Sequence, residues 1–303
     1  MGIHSGVRIP ASTSNLGPGF DCLGCALEVY LEVRVEAGED RHRVVASGVD
    51  CERMPQGDEN LILRVLNRVA ERRGQSVGPQ RLLVRNEVPL ARGLGSSATA
   101  ILAGVSCYEL VTGDHLSVEE IIDYGWEFEP HADNLSASLL GGLTVAVTSS
   151  GSSNPGFLRL AIPEGLTPVL VIPDFEVETR MAREVLPDSY SRSDLVFNIQ
   201  RAAQLVGALT TGRWEYLAEG MKDRVHQPYR TGLVPGLEQV LALKADGLYG
   251  IALSGAGPTV LALTDPARSG DVGQRVADLF GKHGVSVKVQ VSRIDIMGRT
   301  FLD

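Results

Sequence analysis

The chain has 303 residues, 44% of them apolar and 21% charged, with a formal net charge of −9 at pH 7. That length suits one large domain or two ordinary ones, and that balance is an ordinary soluble, globular composition. No apolar run reaches membrane-span length, no basic stripe offers a nucleic-acid surface, and residues 1–10 (MGIHSGVRIP) lack the layout of a secretory signal.

Met1-Gly2 with Ser5 and Gly6 fits a myristoylation pattern only loosely. Cys22 and Cys25 make a single CxxC whose Leu23-Gly24 reads as a turn, and Cys51 and Cys107 stand apart. The lack of a second closely spaced pair argues against a zinc ribbon, and reduced thiols in a cytoplasmic protein are expected.

In chain order, the pattern predicts a half-exposed strand over Ala26–Ala37, a short strand over His42–Ser47 and a helix over Asn60–Arg73 with Leu61, Val65, Leu66 and Val69 on one face. A strand at Arg81–Arg85 and a largely apolar, buried helix at Ser97–Val111 follow. Helices at Val118–Phe128 and Ala132–Leu140 and a strand at Leu143–Thr148 complete the first half. Ser149–Gly156 (SSGSSNPG) is the best linker candidate, dividing the chain into 1–152 and 153–303. Beyond it come strands at Leu158–Ile162 and Pro168–Ile172, a long helix at Ser193–Thr210, and helices at Trp214–Lys222, Gly236–Lys244 and Asp271–Lys282. Strands at Tyr249–Leu253, Thr259–Leu263 and Val285–Val291 lie among them. There is no short-period repeat and no regular βαβα series, so the expected class is α+β.

Three glycine-bearing segments interrupt this series. Val88–Ala100 (VPLARGLGSSATA) passes from proline through Gly93-Leu94-Gly95-Ser96-Ser97 into a helix. Its glycines permit conformations a Cβ forbids, its serines are candidate helix caps, and a helix start attracts anions, phosphate above all. The spacing is neither a Walker A loop nor a dinucleotide fingerprint. Pro10–Asp21 (PASTSNLGPGFD) reads as a turn-rich segment, with Asp21 as a helix cap in the plainest interpretation. Ser254–Thr259 (SGAGPT) reads either as a tight hairpin or as backbone that approaches a ligand closely.

With HADN near residue 130, these segments resemble the motifs of the homoserine kinase family, in the right order over nearly the whole chain. That family belongs to the galactokinase, homoserine kinase, mevalonate kinase and phosphomevalonate kinase superfamily. The resemblance implies ATP-dependent phosphorylation of the side-chain hydroxyl of L-homoserine, a step of threonine biosynthesis, on a cleft between two lobes. The first lobe would be like ribosomal protein S5 domain 2 and the second ferredoxin-like. A homodimer is common among such enzymes.

The same resemblance implies residue roles. Gly93, Leu94, Gly95, Ser96 and Ser97 would wrap the β- and γ-phosphates with backbone amides, Pro89 and Arg92 would belong to the same ATP site, and Asn60 and Asn86 would lie near the nucleotide. Ser97 would also meet Mg²⁺, together with a carboxylate upstream of the His-x-Asp-Asn motif. Glu127 is preferred for that carboxylate over Glu129, with Asp123 further back, and Pro130 stands where a glycine is common. Asn15, Asp21, His131, Asn134, Arg183 and Arg230 would bind the amino acid. Asp21 would face its ammonium and the two arginines its carboxylate, since a guanidinium fork grips a carboxylate bidentately. Asn134, Thr179 and Arg183 would serve the transfer itself. Asp133 is weighed as a base, and none is assigned, because phosphoryl transfer asks mainly for positioning and charge neutralisation. Two alternatives stay open, another small-molecule kinase of the superfamily and a relative that senses nucleotide without turnover.

Overall fold

The computed structural model describes residues 5–38, 40–147 and 156–303. Strands β1 (Gly6–Asn15) and β2 (Gly19–Ala37) form an antiparallel pair turned at residues 16–18. Along β2, Leu27, Val29, Leu31 and Val33 are buried while Glu28 and Arg34 face solvent, the period-two alternation of a strand with one covered face. β3 (Arg43–Gly48) lies parallel to β4 (Gln80–Asn86), which pairs with the second half of β2. Such a parallel pair needs a crossover, and α1 (Leu61–Arg72) supplies it, capped by the Asn60 side chain accepting from Ile62 N at 3.0 Å.

α2 (Ser96–Thr112) is apolar on nearly every side because it runs through the core, against β1, β2 and α1. α3 (Val118–Trp126) opens on a capping box of Ser117 and Glu120. α4 (Ala132–Leu140) lies across β1 and β2. β5 (Leu143–Val147) pairs with Leu23–Cys25 of β2, and β6 (Gly156–Leu160) with β5. Leu23 and Gly24 therefore belong to a strand, not the expected turn, and all four cysteines are free thiols.

The second sheet begins with β7 (Thr167–Pro173). Helices α5 (Thr179–Glu184), α6 (Arg192–Thr211), α7 (Leu217–Gly220), α8 (Gln227–Arg230) and α9 (Leu237–Leu241) precede β8 (Leu248–Leu253) and β9 (Val260–Thr264). After α10 (Ser269–Lys282) comes β10 (Val287–Val291). The strand order β10-β7-β9-β8, antiparallel throughout, is the split βαβ arrangement of a ferredoxin-like layer. β7 is buried on both faces, Leu170 and Ile172 joining the core of the first sheet while Val169 and Val171 pack in the cluster with Phe280 of α10.

The chain closes with β11 (Thr300–Leu302) on the free edge of β1. The expected linker and the division at 152/153 fall almost wholly outside the described residues. Gly156–Leu160 and Thr300–Leu302 lie past that division yet belong to the first sheet. The helices expected at Trp214–Lys222 and Gly236–Lys244 contract to Leu217–Gly220 and Leu237–Leu241, with Trp214–Tyr216 a 3₁₀ turn.

Candidate active site

β1 ends in Ser12-Thr13-Ser14-Asn15, four polar residues that are all buried. Strand alternation sends them two ways. Toward α4, Ser12 Oγ donates to Asn134 Oδ1 at 3.0 Å and Asn134 Nδ2 donates to Ser14 Oγ at 3.0 Å. Toward the β8–β9 loop, Ser254 Oγ lies 2.9 Å from Thr13 Oγ1, and Asn15 Nδ2 donates to Gly255 O at 3.1 Å. Asn15 Oδ1 accepts from Asp21 N at 3.0 Å, across a turn in which Asn15 and Asp21 both hold positive φ, 69° and 55°. Asn and Asp tolerate that region better than other side chains. Pro10–Asp21 is thus a buried strand and its return, and Asp21 caps no helix. The Ser254–Thr259 segment is both a connection between strands and a close backbone approach.

The glycine loop lies over this strand. Gly93 and Gly95 have φ of 74° and 69°. A Cβ on Gly93 would meet Ser254 O at 2.2 Å, and one on Gly95 would meet Ser12 Oγ at 2.3 Å, so both positions demand glycine. Gly95 itself is the N-cap of α2, without a side-chain cap. The expectation that serines cap this helix is corrected: Ser96 and Ser97 form its first turn, at the positive end of its dipole.

A cavity of 310 Å³ opens before this helix start. Its lining joins Asn15, Asp21, Gly93, Gly95, Ser96, Ser97, Glu129, His131, Asn134, Thr179, Arg183 and Arg230. Asp133 lines it too, as do Phe20, Pro130, Gly255 and Ala256.

The two candidate carboxylates part company here. Glu127 ends α3 and is held by Arg68 Nε at 2.8 Å and by Arg72. It lines a separate, open depression and not the cavity before α2, so the preferred carboxylate, Glu127, lies away from Ser97's cavity. Asp123 likewise pairs with Arg72, at 3.0 Å. Glu129, two residues on, enters the cavity. Its following residue is Pro130, which disfavours helical backbone at Glu129 and turns the chain off the α3 axis. Ser97 lies near enough to the Glu129 carboxyl to favour its charged form, and Glu129 Oε2 is buried with no partner. Burial, with Asp133 adding to it, pushes Glu129 up to about 7.

Asp133 is 2% exposed, and burial pushes it up to about 6 although its Oδ1 accepts from Asn134 N at 2.7 Å. His131 is shifted down by burial and by Arg183.

At the other end of the cavity Arg183 grips Asp21 bidentately, at 2.6 and 3.1 Å. Arg230 is 2% exposed, donating Nε to Ala182 O at 3.0 Å and Nη1 to Gly255 O at 2.9 Å. Burial, then the neighbouring Arg183, lowers it to about 10. Both guanidinium carbons lie 5.4 Å from the Phe20 ring centroid. Phe20 went unnoticed in the sequence, although it sits inside the GPGFD run.

The nucleotide candidates divide. Asn60 and Asn86 line a second cavity of 270 Å³ that abuts Ser96 and Ser97, with Leu31, Met54, Leu61 and Leu90. Their amides serve backbone: Asn60 Nδ2 donates to Pro55 O at 2.8 Å, and Asn86 Nδ2 donates to Val49 O and Val88 O at 2.7 and 2.9 Å. They shape that cavity's wall. Pro89, Arg92 and Leu94 line neither cavity. Pro89 and Leu94 are buried behind the loop, and Arg92 ties it to Asp50 at 3.0 Å and to Pro173 O at 3.1 Å.

The two-sheet fold and its glycine loop place the protein in a known class. Residues 60–142 match the GHMP kinases N terminal domain, and residues 205–282 match GHMP kinases C terminal. The galactokinase of Lactococcus lactis shares the fold at a TM-score of 0.69 and 14% identity, over 98% of this chain and 95% of its own. Nearer in sequence, the homoserine kinase of Desulfitobacterium hafniense is 40% identical over 300 residues, 96% of this chain and 98% of its own. A crystal structure of homoserine kinase from Cytophaga hutchinsonii superposes with a TM-score of 0.85 at 28% identity, covering 100% of this chain and 98% of that one. The chain belongs to the homoserine kinase family.

Proposed function

We propose that the protein transfers the γ-phosphoryl group of ATP to the side-chain hydroxyl of L-homoserine, in a reducing cytoplasm. One observation carries the reading: a single cavity has the uncapped N-terminus of α2 at one end and a cluster of Asp21, Arg183 and Arg230 at the other. The first suits phosphates, the second a zwitterion.

Gly93 to Ser97 would hold the β- and γ-phosphates through backbone amides, with the nucleoside in the apolar cavity walled by Asn60 and Asn86. The residues present fit Mg²⁺. Glu129 offers a buried carboxylate oxygen without a partner, Ser97 a hydroxyl beside it, and Mg²⁺ takes oxygen ligands while keeping several waters. When bound, the ion would neutralise charge on the phosphoryl oxygens.

The substrate end works by exchange. Without substrate, Asp21 and Arg183 satisfy each other. The ammonium of homoserine would take Asp21 and its carboxylate would take Arg183 and Arg230, replacing one internal ion pair by two. An analogue lacking either charge leaves part of this pair unreleased. Asn134, anchored by Ser12 and Ser14 beside the glycine loop, would orient the acceptor hydroxyl, and His131 and Thr179 would wall the pocket. Enclosure of Glu129 beside Ser97 supports a catalytic protein over one that only senses nucleotide.

The test is ADP release with Mg-ATP against L-homoserine, mevalonate, galactose and L-serine in parallel. Turnover with homoserine alone is expected. Turnover with mevalonate or galactose and not homoserine overturns the reading.

A further inference from the structure

His226 immediately precedes α8 and is fully buried. Both ring nitrogens are engaged: Nε2 lies 2.7 Å from Gly17 O and Nδ1 lies 3.1 Å from Arg230 Nη1. A carbonyl oxygen only accepts and a guanidinium only donates, so the ring must be neutral, with its proton on Nε2 and a lone pair on Nδ1. Burial, which pushes the imidazole down to about 4, agrees with the neutral form. The ring also stacks on Phe20, centroids 5.2 Å apart at 23°.

The residue is held from behind. Asp223 Oδ2 accepts from the N–H of His226 and of Gln227, at 2.9 and 2.7 Å, and Asp223 Oδ1 accepts from Asn198 Nδ2 at 2.8 Å. Asp223 thus anchors the entry to α8, while His226 reaches from α8 to the turn between β1 and β2. Three parts of the amino-acid pocket meet on one imidazole: the Asn15–Asp21 turn through Gly17, the Phe20 platform, and Arg230.

We propose that His226 is a positioning residue for substrate carboxylate binding. It acts by orienting Arg230 through Nδ1 and by locking the β1–β2 turn to α8 through Nε2–H. The proposal rests on the homoserine reading of the pocket, and it adds a residue that never touches substrate.

Two side chains separate its contacts. In Asn an amide atom falls where Nδ1 stands, and in Gln one falls where Nε2 stands. His226→Asn keeps an acceptor for Arg230 and loses Gly17, whereas His226→Gln keeps a donor for Gly17 and loses the acceptor. Losing a hydrogen bond to a charged group corresponds to about tenfold to a hundredfold. The KM for homoserine is expected to rise by that factor in His226→Gln and by much less in His226→Asn, with KM for ATP unchanged in both. In an Arg230→Ala background, His226→Gln should add nothing further. Equal rises in both KM values, or a Gln variant no worse than the Asn variant, overturn the proposal.

¹⁵N-histidine NMR of the unmodified protein gives an arm that needs no variant. An unprotonated Nδ1 that shifts on adding homoserine, and not on adding Mg-ATP alone, is expected. An Nδ1–H tautomer, or a resonance indifferent to homoserine, overturns it. Failure of the homoserine reading shows differently, as an Arg230→Ala protein whose homoserine KM is unchanged.

Discussion

At the scale of single residues, Glu127 and Glu129 show how little separates a carboxylate that enters the cavity from one in a surface ion pair. Both are acidic and follow α3. Arg68 and Arg72, one turn apart on α1, draw Glu127 outward, while Pro130 turns Glu129 inward against Ser97. The expected result is that Glu129→Gln abolishes most Mg²⁺-dependent turnover in steady-state assays. Glu127→Gln should keep it and lose only about 1 kcal/mol of stability, as partly exposed pairs do.

The shift at Glu129 also sets a pH dependence. Its folded value, about 7, stands above its ordinary 4.5, so the folded state holds a proton that the unfolded chain releases. Stability of the metal-free protein should therefore fall as pH rises from about 4.5 through about 7, by an amount on the order of 2–3 kcal/mol. Asp133 acts in the same direction. Melting curves between pH 4.5 and 8 test this, and Glu129→Gln should flatten the slope. Added Mg²⁺ should stabilise more strongly toward the alkaline end, because it competes with that proton.

At the scale of elements, α2 is a buried helix whose first turn is left open to the cavity. Its entry depends on Gly93 and Gly95, each in left-handed backbone and each against another segment's polar oxygen. Gly95→Ala would drive a methyl group into Ser12 Oγ and disturb the Ser12–Asn134 contact beside it. The expected outcome in kinetics and thermal melting is a loss of at least about a hundredfold in kcat/KM, on the scale of a misplaced catalytic group, with a lowered Tm. This loop was legible because glycine carries conformational information in its own identity. β1 was not, because Pro10 and four small polar residues imitate a turn. Only its partners on both faces, Asn134 on one side and Ser254 and Gly255 on the other, make it a strand with a buried polar row.

At the scale of the whole molecule, the two sheets share the core that holds Leu170, Leu205 and Leu261, and they meet at the site. Arg92 is one fastening between them. Its guanidinium joins Asp50 of the first layer to Pro173 O at the end of β7, with a side chain only 14% exposed. Arg92→Ala removes several hydrogen bonds from groups that are nearly out of water. A loss of about 2 kcal/mol is expected in denaturant unfolding, with KM for ATP and homoserine both raised. A change confined to ATP would mean that Arg92 meets nucleotide directly.

The sequence by itself determined the α+β class, most helices, the glycine loop and the chemical types gathered around it, since periodicity, caps and glycine are local properties. The ordered motifs also carried the family. The tertiary structure alone decided which carboxylate faces the phosphate loop, that Asn60 and Asn86 serve backbone, that residues 300–302 complete the first sheet, and that His226 stands behind Arg230. The facing of Glu129, the closure by residues 300–302 and the reach of His226 to Gly17 depend on contacts between residues tens to hundreds of positions apart. A side chain's direction there is set by what packs against its element, which no local pattern records.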